Sequence, residues 1–262
     1  MPENAIDPYF TPFDEVIARE TVSKKFSLMV TKPHPLCLLA AKQLQAYLAN
    51  QTDWVHNFGL SNHNEGAVIG KMFGVLVVQN QTGDIGYLSA FSGKLAGSNQ
   101  HQRFVPPVFD LLTENSFLNI GMEKLTRMNL LISTLEDQNQ PEQKTEIERL
   151  KAERKAHSIG LQDQIFEHYH FFNLAGEEKS LTEIFANAGY KKPPAGAGEC
   201  AAPKLLQYAF QHKMKPIALA EFWWGQSPKS NFWKHGHFYA CCKEKCEPIF
   251  RHTLAGIEIE KR

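Results

Sequence analysis

Apolar and polar positions alternate differently in successive stretches of the chain, and each change marks a change of element. FSLMVTKP (26–33) is a short apolar run that Pro33 ends, so it predicts a strand, and PLCLLAAKQLQAYLAN (35–50) carries apolar residues at helical spacing. In GKMFGVLVVQNQTGDIGYLSAFSGKL (70–95), Phe73, Val75, Val77, Ile85, Tyr87 and Ser89 alternate with a second, largely apolar set. That pattern predicts two strands turning around Gln81–Asp84, in a sheet covered on both faces. Before these, residues 1–20 show no period and predict an irregular arm packing through Tyr9, Phe10 and Phe13.

The period then lengthens. Met122, Leu125, Met128, Leu131 and Leu135 recur at helical spacing, EDQNQPEQ breaks the run, and Ile147, Leu150, Leu161, Ile165, Phe166 and Tyr169 resume it. Two antiparallel helices over 119–173, a protruding hairpin arm, fit this pattern. Arg154 and His157 fall in the a/d register and argue against a strong coiled coil. Ser180 followed three residues later by Glu183 predicts a capping box and a short helix ending near Gly189. Pro203 suits the first turn of a helix over 203–213. PIALAEFWWG and HFYACC predict strands, and CEPIFRHTLAGI predicts a closing helix with Pro248 in its first turn. The fold class is therefore α+β, in three parts: 1–118, the hairpin over 119–175, and a C-terminal α/β part over 176–262.

Composition narrows the function classes. Lys plus Arg and Asp plus Glu both number 28, so any contact with RNA has to be local rather than a global electrostatic one. No apolar run is long enough to cross a membrane, and MPENAIDPYF lacks the basic and apolar regions of a signal peptide, so a cytoplasmic protein without a membrane partner is expected. Five cysteines, an odd number with most of them late in the chain, fit free thiols or a metal site better than a disulfide framework. Cys37, among leucines, is read as a small buried hydrophobe. The glycines at 66, 70, 74, 83, 86, 93 and 97 form no phosphate-binding motif and are read as bends and close packing. Asn62, His63, Asn64 and Glu65 form a polar cluster, read as a solvated loop.

The candidate chemistry lies between Pro193 and Cys246. Cys200 falls at a helix start, where unpaired N–H groups and the helix dipole favour a thiolate. Cys242 and Cys246 are one helical turn apart, so the three thiols can converge on a metal, zinc being the expected one. His235 or His237 would close such a site with a fourth ligand; an open position beside Glu199 or Glu221 would leave it hydrolytic. Trp233, flanked by Lys229 and Lys234, is the candidate for stacking on RNA bases. Trp223 and Trp224 continue an apolar strand and are read as packing residues. Arg149 and Arg154, with Lys144, Lys151 and Lys155, offer RNA phosphates a basic stripe, but the interleaved glutamates also fit a solvated face.

GAGECAAPKLLQYAF, PIALAEFWWG and HFYACCKEKCEPI, with the upstream ERLKAERKAHSIGLQDQIF, resemble the amino-terminal extension of one subgroup of RluA-type RNA pseudouridine synthases. The resemblance runs over most of the chain after about residue 25. It implies an accessory region that binds or positions ribosomal or transfer RNA for a C-terminal synthase domain in a parent protein that isomerises uridine. The aspartate motif of that catalytic domain, of the H-R-L-D type, does not occur here, so no catalytic residue for pseudouridine formation is assigned. The order Cys200, helix, strand, Cys242, Cys246, helix is also similar to zinc nucleobase deaminases, which implies a zinc-binding domain, catalytic or degenerate. Two departures stand out. Ala202 occupies the position of the acid/base carboxylate unless Glu199 or Glu221 substitutes for it, and the cysteine pair is C-x-x-x-C.

Overall fold

The computed structural model describes residues 7–15, 17, 22, 25–29, 31–61, 66–113, 116–138, 140–228 and 232–261. The Asn62–Glu65 cluster and Lys229 lie outside the described residues. The chain forms two compact units: residues 1–108 with 170–262, and residues 109–169. Both are α+β or helical as the patterning requires, but the first and last thirds of the chain are not separate parts. They share one mixed sheet, and the expected division between 1–118 and 176–262 gives way to it, because a strand from the last third is inserted between strands of the first.

That sheet is built from β1 (Thr11–Pro12), β2 (Phe26–Leu28), β3 (Lys71–Gln79), β4 (Ile85–Phe91), β7 (Lys215–Trp224), β8 (Phe238–Tyr239) and β9 (Ile259–Lys261). Its order is β1-β4-β3-β7-β2-β9, with β8 pairing β7. β7 is antiparallel to β3 and parallel to β2, so the C-terminal ends of β4 and β7 and the start of β3 lie along one rim. A register irregularity at Val77/Val78 breaks the β3–β7 ladder at its far end. Two short strands, β5 (His170–Phe172) and β6 (Glu178–Ser180), make a separate ribbon.

Alternation along the strands supplies two cores. Phe73, Val75, Val77, Tyr87, Ala218, Ala220 and Phe222 face α1 (Pro35–Asn50), packing with Cys37, Ala40, Ala41 and Leu44. α1 opens where the sequence predicts: Pro35 needs no amide partner, and His34 accepts the N–H of Leu36 through Nδ1 at 3.2 Å. Leu76, Val78, Leu88, Ala90 and Leu219 face the other way, against α5 (Ala201–Gln211) and α6 (Glu247–Thr253). The arm residues divide between the two, Phe13 into the first core and Tyr9 and Phe10 against the second. α4 (Leu181–Asn187) begins with the expected capping box, Ser180 Oγ accepting from Glu183 N and the Glu183 carboxylate accepting from Ser180 N.

The chain's end departs from expectation. The expected helix forms as α6 with Pro248 in its first turn, but the chain then turns at Gly256, where φ is +79°, and adds β9 to the sheet parallel to β2. HFYACC is also shorter as a strand than its apolar run suggests. Only Phe238 and Tyr239 pair with β7, and the chain leaves the sheet before Cys241.

The second unit holds the helical hairpin, α2 (Phe117–Gln138) and α3 (Lys144–His168), joined through a 3-10 turn at Pro141–Gln143. Cross-contacts run in opposite directions along the two helices: Lys151 to Glu136, Arg154 to Asn129, His157 to the Gly121 carbonyl. Gly121 is needed at the crossing, since a Cβ there would lie 2.3 Å from Leu161 Cδ2. Arg149 is tied to Glu146 and Glu153 and Lys151 to Glu136, so two of the five cations of the basic stripe are paired with carboxylates, and Arg154 bonds to Asn129.

Candidate metal centre

At the rim of the sheet, three segments distant in sequence bring their thiols together. Cys200 is the N-cap residue of α5, but its side chain caps no amide, which leaves the sulfur for other partners. Cys246 is the N-cap residue of α6, and Cys242 lies one turn earlier, with Cys246 N–H donating to the Cys242 carbonyl at 3.2 Å. The Sγ atoms of Cys200, Cys242 and Cys246 all lie within 4.8 Å of one another, and those of Cys242 and Cys246 are 3.3 Å apart. Zinc–sulfur bonds in a tetrahedral site set sulfurs roughly 3.8 Å apart, a spacing these values bracket. Three soft donors at that spacing are close enough to hold a metal and are compatible with zinc.

The thiols do not share charge equally. The thiols of Cys200 and Cys246 share hydrogen bonds with the Cys242 sulfur, the N–H groups of Lys245 and Cys246 donate to it, and together they hold the Cys242 thiol far below its ordinary range. The same hydrogen bonds push the Cys200 and Cys246 thiols upward. The thiol that these contacts favour for ionisation is Cys242, rather than Cys200 at its helix start. Cys242 is also the exposed member of the three, where solvent favours the charge, while Cys246 is buried.

Beside the thiols sits a carboxylate that the fold has buried on purpose of position. Glu221 is 5% exposed, on the α5 side of β7, opposite Gly74 of β3. Its Oε1 accepts the N–H of Ala202 at 3.1 Å, in the first turn of the helix that Cys200 caps. Burial pushes Glu221 up to about 7, against the opposing hydrogen bonds from the Cys241 thiol and Ala202 N–H. Glu221 thus reaches from β7 to the backbone of the first turn of α5. Gly74 makes this packing possible: a Cβ there would lie 3.0 Å from both Ala201 Cβ and Leu205 Cδ1.

The other candidate residues lie elsewhere. His235 does not complete the group. Its Nδ1 accepts from Gly225 N at 3.1 Å and its ring packs on Trp224, whose side chain belongs to the α1 core on the opposite face from Glu221. His237 contributes its backbone, accepting from Trp223 N and donating to Lys234 O. Among the described residues, no fourth His, Cys, Asp or Glu atom joins the three sulfurs within the same span. Glu199 enters through its carbonyl, which accepts the Gly93 N–H at 2.9 Å. Trp233 stacks on Trp223 at 5.3 Å and meets Phe232 and Tyr239 edge-on, forming an aromatic group next to exposed Lys234. Arg149 and Arg154 belong to the hairpin unit and are engaged as described above.

Two residues of the site escaped the sequence. Cys241, whose thiol hydrogen-bonds to Glu221, is hidden in the sequence by its neighbour Cys242, since the chain has left β8 at this point and no alternation tells the two apart. Lys204 looks like a solvent-facing helix residue, yet it is 3% exposed. Its Nζ donates to the carbonyls of Phe91 at 3.1 Å and Gly93 at 3.4 Å. No protein-family model matches the chain, and the comparisons with curated proteins and with solved structures likewise give no match.

Proposed function

We propose that this chain holds zinc through Cys200, Cys242 and Cys246 and hydrolytically deaminates a nucleobase of the cytosine or adenine type, with Glu221 as acid and base. One observation carries the reading: three convergent thiols lie at the start of a helix whose second residue, Ala202, hydrogen-bonds the buried Glu221 carboxylate. Zinc held there supplies Lewis acidity and a nucleophile at neutral pH. Glu221 takes a proton from the attacking water and delivers it to the ring nitrogen beside the reacting carbon. The water oxygen bonds to that carbon, Glu221 then takes the proton of the new hydroxyl and passes it to the exocyclic amine, and the carbon–nitrogen bond breaks as ammonia leaves and the carbonyl forms. A carboxyl group that changes protonation near neutrality suits both halves of this transfer.

Metal analysis of the protein purified without added zinc, followed by assays for ammonia on cytidine and adenosine, free and in single-stranded RNA, tests the reading. Zinc at one equivalent and turnover lost in Glu221→Gln with the metal retained are expected. Zinc-loaded protein inactive on both bases in both forms would overturn the catalytic assignment.

The aromatic group supports a second reading, an accessory RNA-positioning region of an RluA-type pseudouridine synthase. Phe232 is 65% exposed beside Trp233 and Lys234, the kind of surface on which single-stranded bases stack. On this reading the metal is structural, and the chain binds ribosomal or transfer RNA without making pseudouridine. Pseudouridine formed by the isolated chain would sink it.

A further inference from the structure

We infer that Lys204 is the positioning residue of the thiol centre, the buried cation that balances the metal-loaded cluster and fixes the loop beside it. The inference rests on the zinc reading above. Lys204 lies four residues beyond Cys200 on α5, the spacing that places two side chains on one helix face. Its ammonium is buried, and among the described residues no carboxylate lies within ion-pair distance of it. Two backbone carbonyls and the ring of Phe91, 5.2 Å from Nζ, are its visible partners. Neutral partners of this kind leave an ammonium with most of its desolvation cost, which real proteins bear only where an opposite charge is supplied.

Three thiolates around a zinc ion carry one net negative charge, so the loaded centre supplies the missing partner. Burial lowers Lys204, and against it act the charge of Glu199 and, once its thiol ionises as metal binding requires, that of Cys200, so the amine lies within the field of that ligand. The carbonyls it holds have a second consequence. Gly93 N–H donates to Glu199 O while Lys204 draws in the Phe91 and Gly93 carbonyls, so the end of β4 is stitched to the segment that presents Cys200. Lys204 therefore acts through Cys200 and through the loop, and touches neither metal nor substrate.

Zinc competition against a chromophoric chelator, with the thiolate-to-metal charge-transfer band of the cobalt(II) form as a second readout, tests this on the full chain. Outer-sphere partners of metal ligands are typically worth 10–100-fold in affinity. Lys204→Met is expected to bind zinc about 10–100-fold more weakly and to shift the cobalt band, while the metal-free variant melts no lower than wild type because a buried charge has gone. Lys204→Gln keeps a donor for the two carbonyls without the charge. It is expected to retain the loop and still lose the affinity, and it serves alone if the Met variant fails to fold. Affinity within twofold of wild type in the folded neutral variant would overturn the proposal while leaving the zinc reading intact. A wild-type chain that takes up no zinc would overturn both.

Discussion

The two faces of the central sheet are made by the same strands, one residue apart, and among the described residues only one of them faces a cluster of thiols close enough to hold a metal. Toward α1 the strands present Phe73, Val75, Val77, Tyr87 and Phe222, and the buried thiol there, Cys37, is fully enclosed and pushed upward by burial. Toward α5 the same strands present Gly74, Leu76 and Glu221, and the thiols there lie within bonding range of a metal. Burial alone makes a cysteine inert. What distinguishes the α5 face is that two helix starts and a strand end meet there, supplying backbone N–H groups, and that a small residue at 74 lets the helix come close. Alternation then decides which side chain reaches the meeting point, since moving Glu221 by one position would turn it into the α1 core.

The comparison is broken most severely by exchanging cysteines on the two faces for serine. Cys200→Ser and Cys246→Ser are expected to lower bound zinc from one equivalent to a small fraction of that, since serine is a poor ligand for a soft site. Cys37→Ser should leave the zinc content unchanged and instead cost stability, about 1–3 kcal/mol, because a hydroxyl is buried among apolar groups. Metal content by elemental analysis and chemical denaturation measure the two effects separately. Zinc lost from the Cys37 variant while it remains folded would mean that the two faces are not independent.

Much of this fold is legible in the sequence, and what is not has physical causes. α1, the β3–β4 hairpin, the capping box at Ser180 and the strand β7 follow from period, proline and capping chemistry, all of which act over a few residues. The convergence of Cys200 with Cys242 and Cys246 is legible from Cys200 and Cys246 at helix starts and from the one-turn spacing of Cys242 ahead of Cys246. β9 escapes because it is only three residues long, two of them charged, and pairs with a strand more than two hundred residues earlier, a partner no local pattern names. The histidines mislead for a related reason. Their distance from the cysteines in sequence is short, but the strand pair between them sends His235 to Trp224 on the wrong side of the sheet. Lys204 is invisible because lysine at a helix position reads as solvent-facing, and only the β4 end, more than a hundred residues away, buries it.

A smaller effect sharpens the contrast in the acid-base behaviour of the α5 face. Glu221 titrates near 7 in the folded, metal-free protein and at the ordinary carboxylate value of 4.5 when unfolded. Below both values it is protonated in each state and costs nothing. As pH rises past 4.5 the unfolded chain ionises first, so stability is lost until the folded carboxyl ionises too, near 7. The loss amounts to roughly 3 kcal/mol, taking about 1.4 kcal/mol for each unit of difference. Glu221→Gln should abolish that portion of the decline. Denaturation midpoints of the metal-free proteins between pH 4 and 8 measure it, and parallel curves for the two proteins would contradict the buried carboxyl.

The smallest change addresses the glycine that sets the two faces apart. Gly74→Ala adds one carbon at ordinary strand geometry, 3.0 Å from Ala201 Cβ and from Leu205 Cδ1. Leu205 can turn its terminal methyl aside, but Ala201 has no rotamer to change, so the helix start itself has to shift by a few tenths of an ångström. Crowding of this kind costs about 1–3 kcal/mol, and the gain from replacing glycine within a strand returns roughly 0.5–1 kcal/mol. Net stability should therefore fall by only about 1 kcal/mol. Zinc affinity is the more sensitive gauge, because Ala201 follows Cys200 directly and Ala202 N–H holds Glu221, so one displacement loosens both a ligand and the carboxylate. A severalfold weaker zinc complex in a protein of nearly wild-type stability is the expected result. An unchanged affinity would show that the approach of α5 to β3 at Gly74 serves packing alone, and that the chemistry of this face is set entirely by the cysteine-bearing turns.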